Sequence, residues 1–129
     1  PGVSDAMISQ VDFRASCAAM FKTKIPAGQA PDSENMLDAL LGKSTNGRKI
    51  MVKEGLKTLS ITNGDWKYIE PSNARPVNPL VNIELGNSTA AQLYNLKTDI
   101  GEKKNLAAEN PERVRELAEQ LKAFKLTEK

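Results

Sequence analysis

The sequence predicts an α+β fold, in which a small antiparallel sheet follows two helices and precedes a C-terminal helix. Three observations lead to this prediction. Apolar residues recur at helical spacing near both ends of the chain, alternating segments occupy the middle, and an Asn-Gly pair separates two of those segments. Strands joined by a hairpin and short turns run antiparallel. The 129 residues fit one ordinary domain or a large fragment of a bigger protein.

The stretch from Ser9 to Lys22 predicts the first helix, with Ser9 or Asp12 able to cap its start. Four apolar side chains recur at helical spacing and should form one buried face: Phe13, Cys17, Met20 and Phe21. Because Cys17 lies among small and apolar residues, it is expected to be a buried and inert thiol. As the single cysteine of the chain, it cannot form an intrachain disulfide.

A second and shorter helix is predicted from Ser33 to Leu41. Ser33 is a suitable N-cap residue, and Gly42 suits the left-handed position that follows a helix. Its apolar stripe would consist of Met36, Leu37, Leu40 and Leu41. Two prolines and a glycine separate the two helices, which places a loop between them.

From Lys49 onward apolar residues recur at about every second position, and the segments "KIMVKE" and "KTLSIT" are typical of strands. Asn63-Gly64 is the preferred pair for a two-residue type I′ hairpin. In that register Ile61 faces Trp66 and Leu59 faces Tyr68. All four side chains then lie on the same side of the sheet, where cross-strand pairs stabilise it.

The segment "EPSNARPVNP" has three prolines and is predicted to be a loop. "LVNIEL" alternates beyond it, and "QLYNLK" predicts a further strand. The last helix is predicted over residues 111–125, with Asn110 as its cap and Pro111 in its first turn. A narrow apolar stripe would lie on the sheet: Val114, Leu117, Leu121 and Phe124.

Composition excludes several classes of function. The chain has no histidine, and neither a G-x-S-x-G nucleophile elbow nor a phosphate-binding glycine motif is present. The net charge of +2 comes from interspersed charges without an aromatic-rich basic face, so nucleic acid is not an expected partner. No apolar run approaches the length of a membrane span, so no membrane partner is expected either. The residues alone describe a module without a catalytic apparatus.

Two groups of polar residues are candidates for binding sites. Asp99, Glu102 and Asn105 are spaced by three, whereas a calcium loop presents six to eight oxygens on alternating residues. Nearby lysines add positive charge, so these residues are predicted to cap a turn, and no metal site is expected. Separately, Lys67, Asn73 and Arg75 offer donors to an anionic ligand from a hairpin and a loop, which are common recognition surfaces.

Five segments occur in an order that resembles the C-terminal end of the sulfatase family: "VDFRAS", "APDSENMLDALLGK", "GDWKYI", "QLYNL" and "DIGEKKNLA". The most similar members are bacterial arylsulfatases of the alkaline phosphatase-like superfamily. The resemblance implies that residues 1–45 are the helical end of the α/β catalytic domain. It also implies that residues 46–129 form the C-terminal subdomain, a four-stranded antiparallel sheet with a packed helix. The chain begins with Pro1 instead of methionine, and it is expected to be a fragment.

The resemblance further implies that the parent protein hydrolyses sulfate esters. Sulfatases use a formylglycine, made from Cys or Ser in C/S-x-P/A-x-R, and a calcium ion. Cys17 has Phe21 at the arginine position, and Arg75 follows Ser72 by three residues instead of four. Both groups are therefore expected in the missing N-terminal part, and this chain alone is predicted to be inactive. The loop from Pro71 to Pro79 is expected to reach the substrate, with Arg75 as its anion contact.

Other expectations follow from the same resemblance. The parent would be periplasmic or secreted, and its substrate a sulfated small molecule or glycan. The parent could instead hydrolyse phosphonate or phosphate esters, or the chain could be a non-catalytic module that binds sulfated glycans. The catalytic domain of the same chain would be the partner of an apolar surface, which could also join two copies of the fragment. That surface is expected to include Met7, Ile8, Phe13 and Met20.

Overall fold

The computed structural model describes residues 3–127. The chain folds into two compact units, which are Pro1–Lys49 and Ile50–Lys129. The first contains the helices α1 (Asp12–Met20) and α2 (Leu37–Leu40). The second contains β1 (Ile50–Gly55), β2 (Thr58–Asn63), β3 (Trp66–Ile69), β4 (Val77–Asn78), β5 (Ile83–Glu84), β6 (Gln92–Asn95) and α3 (Pro111–Thr127). The assignment of residues 1–45 to a catalytic domain and of 46–129 to a subdomain stays a prediction.

Four strands of the second unit form an antiparallel sheet in the order β1-β2-β3-β6. Two-residue turns join β1 to β2 and β2 to β3, and such short connections require antiparallel neighbours. The strands β4 and β5 pair only with each other, as a ribbon within the long connection from β3 to β6. The predicted α+β class with a four-stranded antiparallel sheet and a C-terminal helix is confirmed.

The β2–β3 hairpin turns one residue later than predicted. Asn63 pairs with Trp66 and Ile61 pairs with Tyr68, so the predicted pairing of Ile61 with Trp66 and of Leu59 with Tyr68 is wrong. Gly64 has a φ of +57° and occupies the first central position, where a type II′ turn needs glycine. Because the register differs from the predicted one by two residues, every side chain stays on its predicted face of the sheet. Leu59, Ile61, Trp66 and Tyr68 therefore still contribute to one core.

Helix α3 packs its apolar stripe on one face of the sheet. The fully buried cluster consists of Ile61, Tyr68, Leu93, Leu117 and Leu121. The carbonyl of Asn110 accepts the amide of Val114 at 3.1 Å, so the helix begins at the predicted cap and extends to Thr127. Within residues 3–127, no helix combines the length and the apolar content that crossing a membrane requires.

A buried carboxylate organises the N-terminal unit. The side chain of Asp12 is 1% exposed and accepts the amides of Ser9 at 2.8 Å and Glu34 at 3.0 Å. Nε of Arg48 donates to its two oxygens at 2.8 and 3.0 Å. The hydrogen bond from Arg48 is the main reason why the pKa of Asp12 falls from its ordinary 3.8 to about 2.

Helix α1 buries its polar face, which reverses the predicted orientation. The predicted apolar face is exposed at all four of its positions, Phe13, Cys17, Met20 and Phe21. The prediction that Cys17 is buried is therefore wrong. Asp12 and Ser16 are buried instead, because their oxygens satisfy backbone amides; Oγ of Ser16 accepts the amide of Met36 at 2.9 Å. The expected cap is also wrong, since Val11 precedes the helix without a side-chain cap.

Helix α2 is a single turn, shorter than the predicted helix from Ser33 to Leu41. Ser33 does not cap it, because Oγ of Ser33 accepts the amide of Ala15 at 2.9 Å and donates to the carbonyl of Val11 at 2.6 Å. The residues that were predicted to form its first turn are thus held by α1. Gly42 follows the helix with a φ of +69°, as predicted for that position.

Candidate functional site

The loop after β3 is closed against the segment that follows β5. The amide of Ser72 donates to the carbonyl of Ser88 at 2.7 Å. The amide of Leu85 donates to the carbonyl of Pro76, also at 2.7 Å. These two backbone bonds hold both ends of residues 72–76, which are called the Arg75 loop below.

The side chains of Ser72 and Asn87 form hydrogen bonds that hold the Arg75 loop. Oγ of Ser72 donates to the carbonyl of Lys57 at 2.9 Å and accepts the amide of Ala74 at 3.2 Å. Nδ2 of Asn87 donates to the carbonyl of Arg75 at 3.0 Å. The loop therefore has a defined backbone, although it belongs to no helix or strand.

Arg75 differs from the other arginines of the chain. Four of the five have a side-chain partner: Arg14 with Gln29, Arg48 with Asp12, Arg113 with Glu116 and Arg115 with Glu112. The side chain of Arg75 is exposed and has no hydrogen-bond or ion-pair partner within residues 3–127. A free guanidinium offers a planar fork of donors to an oxyanion.

The other two predicted site residues are placed differently. Asn73 is exposed on the Arg75 loop, and its side chain makes no hydrogen bond to the described residues. Nζ of Lys67 contacts both oxygens of Glu102 at 2.7 Å, with side chains that are 20% and 31% exposed. No hydrogen bond connects any two of Lys67, Asn73 and Arg75 in the described chain. Arg75 and Asn73 thus share a loop, and the charge of Lys67 is already neutralised.

A polar cleft of about 280 Å³ opens beside the Lys67–Glu102 pair. Its lining consists of Ile69, Glu84, Gly86, Gln92, Tyr94, Gly101 and Glu102. The hydroxyl of Tyr94 donates to Oε1 of Gln92 at 2.8 Å. Burial raises the pKa of Tyr94, and the carboxylates of Glu102 and Glu84 add to the shift. Glu84 has no ion-pair partner among residues 3–127, so its negative charge opposes a sulfate group in the cleft.

The segment from Asp99 to Asn105 is a turn in which Asp99 and Asn105 accept backbone amides, as predicted. The predicted capping role of Glu102 is wrong, because its carboxylate pairs with Lys67. Oδ2 of Asp99 accepts the amides of Lys103 and Lys104, each at 2.8 Å. Oδ1 of Asn105 accepts the amide of Leu93 at 3.0 Å. The oxygens of these side chains thus bond to the backbone, and Asn105 covers the outer edge of β6 in place of a further strand.

The described residues do not fit the calcium ion or the formylglycine that the family resemblance implies. Within residues 3–127, no group of three or more His, Cys, Asp and Glu side chains is placed to hold a metal ion. Cys17 and Ser72 lack the arginine four residues later, and the hydroxyl of Ser72 already donates to the carbonyl of Lys57 and accepts the amide of Ala74. No step that needs formylglycine or calcium is therefore assigned to residues 3–127.

Sequence patterns missed two structural groups. Asp12 was predicted only as a possible helix cap, although it forms a buried pair with Arg48, 36 positions away. No role was predicted for Asn87, although its Nδ2 donates to the carbonyl of Arg75, 12 positions away. The chain offers no local signal for either contact, because an isolated Asp or Asn is equally typical of turns and caps.

No protein-family model matches the chain. The chain is 45% identical over 126 residues to an N-acetylgalactosamine-6-O-sulfatase of Bacteroides thetaiotaomicron, which covers 97% of this chain and 25% of that protein. A solved structure connected with the metabolism of multiple glycosaminoglycans by Bacteroides thetaiotaomicron has a TM-score of 0.90 at 45% identity. That match covers 95% of this chain and 26% of the other.

Two crystal structures of Ps i-CgsB share the fold at 19% identity. Their TM-scores are 0.60 and, for the complex with k-i-k-neocarrahexaose, 0.64. They cover 88% and 92% of this chain, and 23% and 24% of the other chains.

The chain spans about a quarter of the length of the curated sulfatase that it matches. Over nearly its whole length, the chain is a homologue of the C-terminal region of a bacterial sulfatase, and the resemblance seen in its sequence is confirmed.

Proposed function

We propose that the chain is the C-terminal part of an enzyme that hydrolyses sulfate esters of glycans. The observation that carries the proposal is the 45% identity to a sulfatase over 97% of the chain. The catalytic groups would lie in the remaining part of the protein, where a formylglycine and a calcium ion would supply the nucleophile and the charge stabilisation of sulfatases. The chain contributes its fold and part of the rim of the substrate cleft, and alone it is inactive.

The substrate class follows from the relative. An N-acetylgalactosamine 6-sulfate group within a glycosaminoglycan is the substrate that we propose. The bacterial origin of that relative also supports a periplasmic or secreted enzyme, because a bacterium encounters large sulfated glycans outside its cytoplasm.

The reading frame upstream of Pro1 tests this proposal directly. The motif C/S-x-P/A-x-R, with an early pair of acidic residues, is the expected finding. A reading frame that begins near Pro1 would overturn the proposed enzyme. In that case, salt-sensitive binding of a sulfated glycan by the 129-residue chain would identify a binding module instead.

Within the enzyme, Arg75 is proposed to contact an anionic group of the substrate. Its guanidinium is exposed, lacks a partner among residues 3–127, and extends from a loop whose backbone is already hydrogen-bonded. Asn73 would add a neutral donor from the same loop. Lys67 can take part only if its charge is released from Glu102, so its contribution should be smaller.

Arg75→Ala in the full-length enzyme is expected to raise KM about tenfold and to change kcat less than about twofold. The lost interaction is a charge-assisted hydrogen bond outside the reacting bond, which stabilises substrate and transition state equally. Initial rates with a glycosaminoglycan oligosaccharide that carries N-acetylgalactosamine 6-sulfate and further anionic groups measure both constants. Arg115→Ala is the matched control, since Arg115 is also exposed but lies on α3 at 3.9 Å from Glu112. An unchanged KM for Arg75→Ala would refute the contact.

The apolar face of the N-terminal unit is proposed to be covered by the catalytic region of the same protein. Ile8, Phe13 and Met20 are 39–51% exposed, whereas Met7 is half-buried. In the isolated chain, this surface should drive association of two copies at high concentration. Light scattering should then show a dimer that Phe13→Glu dissociates, and a monomer at every concentration would count against the proposal.

A further inference from the structure

We infer that Asn87 is a positioning residue for Arg75, and that it keeps the Arg75 loop in its binding conformation before the ligand arrives. The inference rests on the proposed function of Arg75. It assigns the positioning to one hydrogen bond, from Nδ2 of Asn87 to the carbonyl of Arg75 at 3.0 Å.

The surroundings of Asn87 indicate that its donor is required there. The residue is 6% exposed, and its Oδ1 is buried without a hydrogen-bond partner among the described residues. A buried acceptor without a partner is destabilising, and an apolar side chain would avoid that penalty. The amide nitrogen is the part of the side chain that makes a contact, and its acceptor is the backbone of Arg75.

The backbone around Arg75 explains why a side chain is needed. The backbone bonds on either side connect Ser72 to Ser88 and Leu85 to Pro76. Ser72 and Pro76 are four residues apart along the chain, whereas Leu85 and Ser88 are only three apart. One extra residue therefore interrupts the ladder, as in a β-bulge, and leaves backbone groups unpaired. The carbonyl of Arg75 accepts no backbone amide among residues 3–127, and Nδ2 of Asn87 is its donor.

This arrangement has a direct consequence for binding. A loop that is already in its bound conformation loses less conformational entropy when the ligand binds. Without the Asn87 donor, the Arg75 loop would populate other conformations, and the apparent affinity would fall in proportion to the competent fraction. Asn87 would then act on substrate binding only through Arg75.

A double-mutant cycle in the full-length enzyme tests the inference. Asn87→Ala is expected to raise KM for the same glycosaminoglycan oligosaccharide about threefold, with kcat unchanged. In the Arg75→Ala background, the same change should have no further effect on KM, because the group being positioned is absent. Additive effects, or a KM that Asn87→Ala leaves unchanged, would overturn the inference and leave the Arg75 contact standing. If Arg75→Ala has no effect on KM, both fail.

Two further variants separate positioning from general destabilisation. Asn63→Ala removes an equivalent donor, since Nδ2 of Asn63 bonds Oε1 of Gln120 at 2.9 Å, but it should not change KM. If Asn87→Ala does not fold, Asn87→Ser keeps a shorter donor and takes its place in the cycle. In the 129-residue chain, amide relaxation of Arg75 should show greater motion in either Asn87 variant than in Asn63→Ala. Equal motion in all three would contradict the positioning role.

Discussion

Asp12→Asn is expected to lower the free energy of unfolding by about 3 kcal/mol at pH 7, because removing one partner of a buried ion pair leaves the other charge uncompensated. The side chains of Asp12 and Arg48 are 1% and 11% exposed. Asparagine can still accept one backbone amide, but it does not balance the guanidinium. Glu34 is 3.1 Å from Arg48 and is 53% exposed, so water screens its contribution.

The same pair predicts a pH dependence. The pKa of Asp12 is about 2 in the folded protein and 3.8 in its ordinary state, so the unfolded chain takes up the proton first as the pH falls. The stabilisation is therefore fully present above the unfolded pKa and is lost as the pH falls from about 4 to about 2. The difference in unfolding free energy between wild type and Asp12→Asn should shrink by about 2 kcal/mol over that range.

Urea unfolding followed by circular dichroism, at several pH values between 7 and 2, measures this difference. Comparing the variant with wild type cancels the titration of the other carboxylates. Asp38→Asn is the control, since Asp38 is exposed at the start of α2 and its replacement should change stability by less than about 0.5 kcal/mol. A stability difference that stays constant with pH would show that Asp12 has no lowered pKa.

Leu93→Ala is expected to lower the free energy of unfolding by about 3 to 4 kcal/mol, since it removes three carbons from a close-packed core. Leu93 is 0% exposed, pairs with Tyr68 across β3 and β6, and contacts the cluster that α3 covers. The surrounding side chains belong to two kinds of element, and the sheet cannot collapse into the space without moving the helix.

Fluorescence of Trp66 during urea unfolding reports this loss, because the single tryptophan packs against the same cluster. Leu80→Ala is the matched control. Leu80 is 90% exposed in the connection between β4 and β5, so the same chemical change should alter stability by less than about 0.5 kcal/mol. Similar losses in the two variants would mean that Leu93 does not belong to the core.

Local patterns indicated which faces are buried in most of the second unit. The apolar stripe of α3 and the alternation in β1 and β2 specify which faces are buried, because each element must bury its apolar side against another. The hairpin was recognised from one dipeptide, but its turn was placed one residue early. The two turn positions differ in register by two residues, which keeps every side chain on the same face, so the alternation of the strands does not distinguish them.

The binding role of the three predicted site residues stays a prediction, but their surroundings can be compared with the sequence. Arg75 and Asn73 were chosen because a proline-rich loop exposes its polar residues, and the structure leaves both without partners among residues 3–127. Lys67 was chosen by the same reasoning, yet it forms an ion pair with Glu102, 35 positions away. Whether a surface charge is free depends on its neighbours in space, which spacing along the chain does not reveal.

The sequence by itself determined the class of the fold, the C-terminal helix, the turn at Asp99 and the likeness to sulfatases. All of these depend on periodicity, on capping chemistry or on the order of short motifs, which are local properties of the chain. Only the tertiary structure decided which face of α1 is buried and what supports Arg75. Asp12 and Asn87 satisfy backbone or charged groups 12 to 36 positions away. Such polar contacts depend on where the folded chain brings donors and acceptors together, and no periodic pattern encodes them.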